Sequence, residues 1–152
     1  MREEKIFEEK VIEVSRVSRT VKGGKRISFR ALVIVGDKVS KVAMGLGKAN
    51  DVSIAIRKAV DSAKKHLEKI KITEQGSIVK EVTVNINSAK ILLKSAPEGT
   101  SIIAGGVVRS VCEAAGIRNL VSKSYGSNNK VNIARATIAA LIKSGEENDS
   151  KN

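Results

Sequence analysis

His66 and Cys112 are the chain's single histidine and single cysteine. A nucleophile needs a base within hydrogen-bond reach, and a metal site needs several ligands at short spacing. His66 stands among Lys64, Lys65 and Lys69 and reads as a surface residue, not as a base. Cys112 shares a helical spacing with Val108, Val111 and Ala115 and reads as a small apolar packing residue. Asp37, Asp51 and Asp61 fall at a turn, a helix start and a helix face. No Ser-His-Asp, Cys-His or paired-carboxylate set assembles. The reading is therefore of a protein that is not an enzyme and uses no metal and no cofactor.

Cations beside glycines carry the chemistry instead. Between positions 10 and 30 stand Lys10, Arg16, Arg19, Lys22, Lys25, Arg26 and Arg30 against Glu13 alone, around a Gly23-Gly24 loop. Glycines let backbone N–H groups approach phosphates, and the flanking cations neutralise them. Arg16, Arg19, Lys22, Gly23, Gly24, Lys25, Arg26 and Arg30 are the expected RNA contacts. Gly45-Leu46-Gly47-Lys48 precedes an expected helix start. It reads either as an anion site, with Lys48 contributing, or as a plain turn and cap. It is not a nucleotide-binding P-loop, because Val42 stands where the first glycine belongs and Ala49 where Ser or Thr belongs. The stretch from Pro97 to Gly106 also leads into a helix, and Glu98 is its only acidic group. A phosphotransferase cradle there lacks a base and a metal ligand. Close packing, inside the chain or against a partner, suits Gly105 and Gly106 better.

The elements that must position these residues follow from periodicity. Alternation predicts a strand over 11–17, and further strands are expected over 27–35 and 39–44, with a hairpin turn at Gly36-Asp37-Lys38. Asn50 or Asp51 caps a helix whose apolar positions run from Val52 to Ile70. Beyond a linker, strands are expected over 78–86, 90–93 and 120–125, and helices over 107–115 and 132–142. The fold class is α+β: a three-stranded sheet with a long helix, then a β-α-β unit. The expected division is a tail at 1–7, a first domain at 8–72, a linker at 73–77, a second domain at 78–144 and a disordered acidic tail at 145–152.

Charge narrows the partner. Lys and Arg number 28 against 16 Asp and Glu, a net charge of +12. That far exceeds what solubility needs, and a polyanion is the usual neutraliser. Phe7, Phe29 and Tyr125 are the whole aromatic complement. This argues against single-strand binding by base stacking and favours contacts to phosphates and to nucleic-acid shape. A membrane surface would call for a basic amphipathic helix with an aromatic or leucine face, and none is evident. The opening MREEKIFEEK is too charged for a signal peptide. The expected location is cytoplasmic, or organellar if a transit peptide has been removed.

Four segments together resemble the bacterial-type small-subunit ribosomal protein five family. They are Val14 to Gly24, Gly45 to Val52, the stretch Ala96 to Thr100 with Ile102 to Gly106 and Arg109, and Lys123 to Asn129 with Arg135-Ala136-Thr137. The resemblance implies a double-stranded-RNA-binding-domain-like first domain and a ribosomal-type α+β second domain. It implies binding to small-subunit rRNA and contact with small-subunit proteins four and eight near the mRNA entrance. It places Lys22 to Arg26 towards the head of the subunit. It also turns Gly105, Gly106 and Arg109 towards protein four, with an effect on decoding accuracy. The chain departs from the family pattern where Val84, Asn87 and Ser101 replace glycine and Ser95 and Lys130 replace proline. A free regulator of double-stranded RNA shares the first domain's chemistry but leaves the second domain unexplained.

Overall fold

The computed structural model describes residues 7–126 and 128–145. The expected tails at 1–7 and 145–152 therefore lie outside the described residues, except for Phe7 and Gly145.

The first unit is an antiparallel sheet with one helix on one face. β1 (Glu8–Val21), β2 (Gly24–Gly36), β3 (Lys41–Ala49) and β4 (Glu68–Lys69) pair in that order, and α1 spans Val52–Lys65. Alternation decides which side chains meet the helix. Ala31, Val33 and Val35 of β2 and Ala43 of β3 pack on Ala55, Ala59, Val60 and Ala63 of α1. Three expectations need correction. The segment from Thr20 to Arg26 is no open loop: both strands run into a two-residue turn at Lys22-Gly23, with Val21 paired to Gly24. Gly23 has φ +106°, which glycine adopts at little cost. The helix stops at Lys65 and not near Ile70, because Leu67 and Ile70 keep helical spacing by coincidence. Glu68 and Lys69 pair with Val42 and Lys41 as β4.

The second unit comprises β5 (Val82–Ile86), β6 (Ala89–Ser95), β7 (Ile102–Ile103), α2 (Gly106–Ala115), β8 (Leu120–Gly126) and α3 (Lys130–Ser144). Its sheet runs β5-β6-β8-β7, with β7 parallel to β8 across α2 and the other pairs antiparallel. Residues 78–81 lie outside the strand expected there, and the 97–106 loop contains the short β7. Asn129 caps α3, its Oδ1 accepting from Val131 N at 3.0 Å.

The two units share a core. Ile34, Val42 and Ile70 of the first are buried in one cluster with Ile91, Leu93, Val111, Leu120 and Leu141 of the second. The Lys38 N–H donates to the Ala114 carbonyl at 2.9 Å, which ties the β2–β3 turn to the end of α2. Asp37 Oδ1 shapes that turn by accepting from Val39 N, Ser40 N and Lys41 N at 2.9–3.0 Å. Asn119, buried, fastens the linker: its Nδ2 donates to Gln75 O, and its backbone N–H donates to Gly76 O at 3.0 Å.

Candidate nucleic-acid interface

β3 accompanies β2 only as far as the Phe29–Ala49 pair. Beyond it, β1 and β2 continue alone through five cross-strand pairs, from Val17–Ser28 to Val21–Gly24. At about 3.4 Å per residue, this two-stranded ribbon projects about 17 Å past the sheet.

Register then sorts the cations. Phe29 packs against the α1 cluster, so residues in phase with it lie on the helix side. Lys25 is in phase on β2, and Arg16, which pairs with Phe29, shares that side. Arg26 and Arg30 are out of phase and point away from α1. Arg19 lies opposite Arg26, and Lys48 lies opposite Arg30. One face of the sheet thus carries Arg19, Arg26, Arg30 and Lys48 together, with Lys22 and the two glycines at the tip. Arg16 and Lys25 stand on the other face. All nine residues expected to touch RNA are exposed, and among the described residues none of the seven cations makes an ion pair. An unpaired cation row on an extended ribbon fits a groove or a run of phosphates, with no carboxylate to displace.

The structure settles the two readings of Gly45 to Lys48, and neither stands. The segment is neither a turn nor an anion loop; it continues β3. A Cβ on Gly45 would collide with the Ala59 carbonyl and one on Gly47 with the Ala55 carbonyl. The glycines are there so that α1 can lie directly on the strand. Lys48 belongs to the opposite face, with Arg30, while its carbonyl accepts from Lys58 Nζ at 3.3 Å. Lys58 was not singled out from the sequence, because the α1–β3 approach that brings it beside Lys48 is a tertiary effect.

Gly105 and Gly106 begin α2. Gly105 is the N-cap with φ −69°, and a Cβ on either glycine would meet open space. Close packing within the chain is therefore not their role. Arg109 lies one turn on, its backbone N–H donating to Gly105 O at 2.8 Å and its exposed guanidinium 3.8 Å from Glu113. Together they make a bare, open helix start with one planar cation beside it.

Nucleotide chemistry finds no support in the loop before α2. The N–H groups of Gly99 and Ser101 both donate to Asn119 Oδ1, at 3.1 and 3.0 Å, so they are spent inside the fold. His66 Nδ1 contacts Ser62 O at 2.8 Å at the end of α1. Cys112 is buried, and burial, helped by the Glu113 carboxylate, pushes its thiol up to about 12. Among the described residues no three His, Cys, Asp or Glu side chains gather as a metal site, and no helix is long and apolar enough to cross a membrane.

Comparison with known proteins matches both units. Residues 7–71 match the family described as ribosomal protein S5, N-terminal domain, and residues 84–147 match ribosomal protein S5, C-terminal domain. The small ribosomal subunit protein uS5 of Campylobacter jejuni is 51% identical over 135 residues, 89% of this chain and 91% of that protein. The uS5 of Nostoc punctiforme is 48% identical over 140 residues, 92% of this chain and 80% of that protein. The uS5 of a Picosynechococcus species is 45% identical over 135 residues, 89% and 78% of the two chains.

Proposed function

The chain belongs to the ribosomal protein S5 family, and from that premise we propose how its two surfaces serve the small ribosomal subunit. It is a structural constituent of that subunit, associated with its rRNA and proteins, and not an enzyme. The ribbon face of Arg19, Arg26, Arg30 and Lys48, with Lys22 at the tip and Lys25 beside it on the helix side, holds rRNA phosphates. Arg16, on the helix side, takes a second strand or a bend in the same RNA. Residues 8–72 form the RNA-contacting domain, 73–77 the linker and 78–144 the domain that meets neighbouring proteins. Gly105, Gly106 and Arg109 face small-subunit protein four, and small-subunit protein eight is the other protein neighbour. The assembled position is near the mRNA entrance, in cytoplasmic ribosomes, where the protein supports assembly and decoding accuracy. The observation that carries this reading is the row of four unpaired cations on one sheet face.

Salt titration of binding to small-subunit rRNA tests it. If about six to ten phosphates are neutralised, affinity falls on the order of a thousandfold or more between about 50 and about 200 mM salt. Changing Arg19, Arg26 and Arg30 to Gln together should flatten that slope by about two to three units, at roughly 0.7–0.9 per phosphate. An unchanged slope rejects the ribbon as the phosphate contact.

A further inference from the structure

The second sheet buries one face and leaves the other open. Val82, Ala89, Ile91, Leu93, Ile102 and Leu120 point into the core beneath α2 and α3. Pairing fixes what faces solvent in three rows across the strands. The first row is Asn85, Lys90 and Tyr125, the second Thr83, Leu92 and Lys123, and the third Lys94, Val121 and Ile103. Tyr125 is 48% exposed and Ile103 56% exposed, and Lys90, Lys94 and Lys123 are all open. No residue in these rows is acidic; Glu81, one position before β5, is the nearest carboxylate along the chain. Among the described residues none of the three lysines makes an ion pair.

We infer that this open sheet face is a second RNA-contact surface, which takes an unpaired stretch of rRNA with one base stacked on Tyr125. The inference rests on the proposed ribosomal role and adds a site to it. Three lysines on adjacent strands, diagonal neighbours at about 7–8 Å, suit successive phosphates of one strand. An exposed tyrosine near the end of β8, paired to Lys90 on one side and open on the other, offers a flat platform for a base. Leu92, Val121 and Ile103 make an apolar floor that a stacked base or a sugar covers and that a water-filled groove would leave bare. An acidic protein partner would also answer the lysines, and it is one of the outcomes the test separates. A tyrosine with Lys90 opposite it and Lys123 two residues back along β8 fits a base better than a protein core.

The test places a photoreactive phenylalanine analogue at position 125 of the full-length chain and, in a separate sample, at position 26. Each is assembled into small subunits from rRNA and the remaining proteins, illuminated, and its cross-links mapped. Position 125 is expected to cross-link to a few adjacent unpaired nucleotides. Tyr125→Phe should leave rRNA affinity unchanged, and Tyr125→Ala should lower it about fivefold or more. Cross-linking from position 125 only to a ribosomal protein, or to nothing, overturns the inference. If position 26 still reaches RNA in that case, the ribbon reading survives alone. If position 26 also misses RNA, both readings fall.

Discussion

Arg19 and Arg26 stand directly opposite each other across the β1–β2 ribbon, two like charges in one cross-strand pair with no carboxylate between them. Arg30 and Lys48 repeat the arrangement two rows further in. A directly opposed like-charge pair opposes pairing, by about 0.2–1 kcal/mol. The free protein bears this cost, and a bound polyanion removes it. Replacing Arg26 by Thr should therefore raise the melting temperature of the free protein slightly while weakening its hold on rRNA. Thermal denaturation alongside filter binding checks both signs; a lowered melting temperature with unchanged binding contradicts the account.

Gly45→Ala and Gly47→Ala should each destabilise the fold. The added carbon meets helix backbone, which has nowhere flexible to go. Overpacking of this kind costs about 1–3 kcal/mol, several degrees in melting temperature for a chain of this size. Lys48→Ala, on the other face of the same strand, should leave the melting temperature alone and weaken RNA binding. If the glycine variants melt normally and lose RNA binding, the anion-loop reading is the right one after all.

Gly106→Ala should be neutral or slightly stabilising in the isolated protein, by up to about 1 kcal/mol, because the site is open, and Gly105→Ala, which loses a favoured N-cap residue, should destabilise it by less than about 1 kcal/mol. A bulkier Gly105→Leu should still fold. Its effect should show in assembled ribosomes, as a weakened contact with protein four and a changed misreading rate. A fall of several degrees in melting temperature, with unchanged misreading, would return these glycines to internal packing.

Ser101 and Asn87 hold left-handed backbone at φ +70° and +47°. The Ser101 N–H is pinned to Asn119 Oδ1, so the loop cannot relax to another conformation. A side chain in that region costs on the order of 1 kcal/mol, less for Asn. Ser101→Gly should therefore raise the melting temperature by a few degrees and Asn87→Gly by less. Calorimetry of the two variants decides it, and no gain from Ser101→Gly speaks against strain at this loop.

Cys112 should resist alkylation in the native protein and react at once after denaturation. The fold binds the thiol proton more tightly than the unfolded chain does, with a pKa of about 12 against 9. The resulting stability is complete below about pH 9 and is lost as pH rises from 9 towards 12. Cys112→Ala should remove that alkaline component of unfolding. Labelling at native rates equal to the denatured rate would show the thiol to be accessible.

The strand from Val11 to Val17 was legible from its alternation, and the one from Ile27 to Val35 from its β-branched apolar run, which is buried on both faces between α1 and the second unit. The close of α2 was legible because Gly116 marks it. Gly45 and Gly47 misled because a glycine inside a strand looks locally like a break, and only the approach of α1 explains it. Leu67 and Ile70 misled because β4 and the shared core happen to continue a helical spacing. The cation cluster was legible as a cluster. Its division between two faces was not, since that depends on a turn of only two residues at Lys22-Gly23. The open second sheet was hidden for a similar reason: Lys90, Lys123 and Tyr125 become neighbours only through β6–β8 pairing.

The burial of Ile34, Val42 and Ile70 among second-unit side chains has a consequence for synthesis. The chain emerges from its N-terminus, so the first sheet exists in outline while its second covering layer is still unmade. Ile34 and Val42 meet Val111 and Leu141 only after about a hundred further residues have been joined. At about 5–20 residues per second, that wait lasts roughly 5–20 s. During it, an apolar sheet face and a strongly basic ribbon are presented side by side to everything nearby.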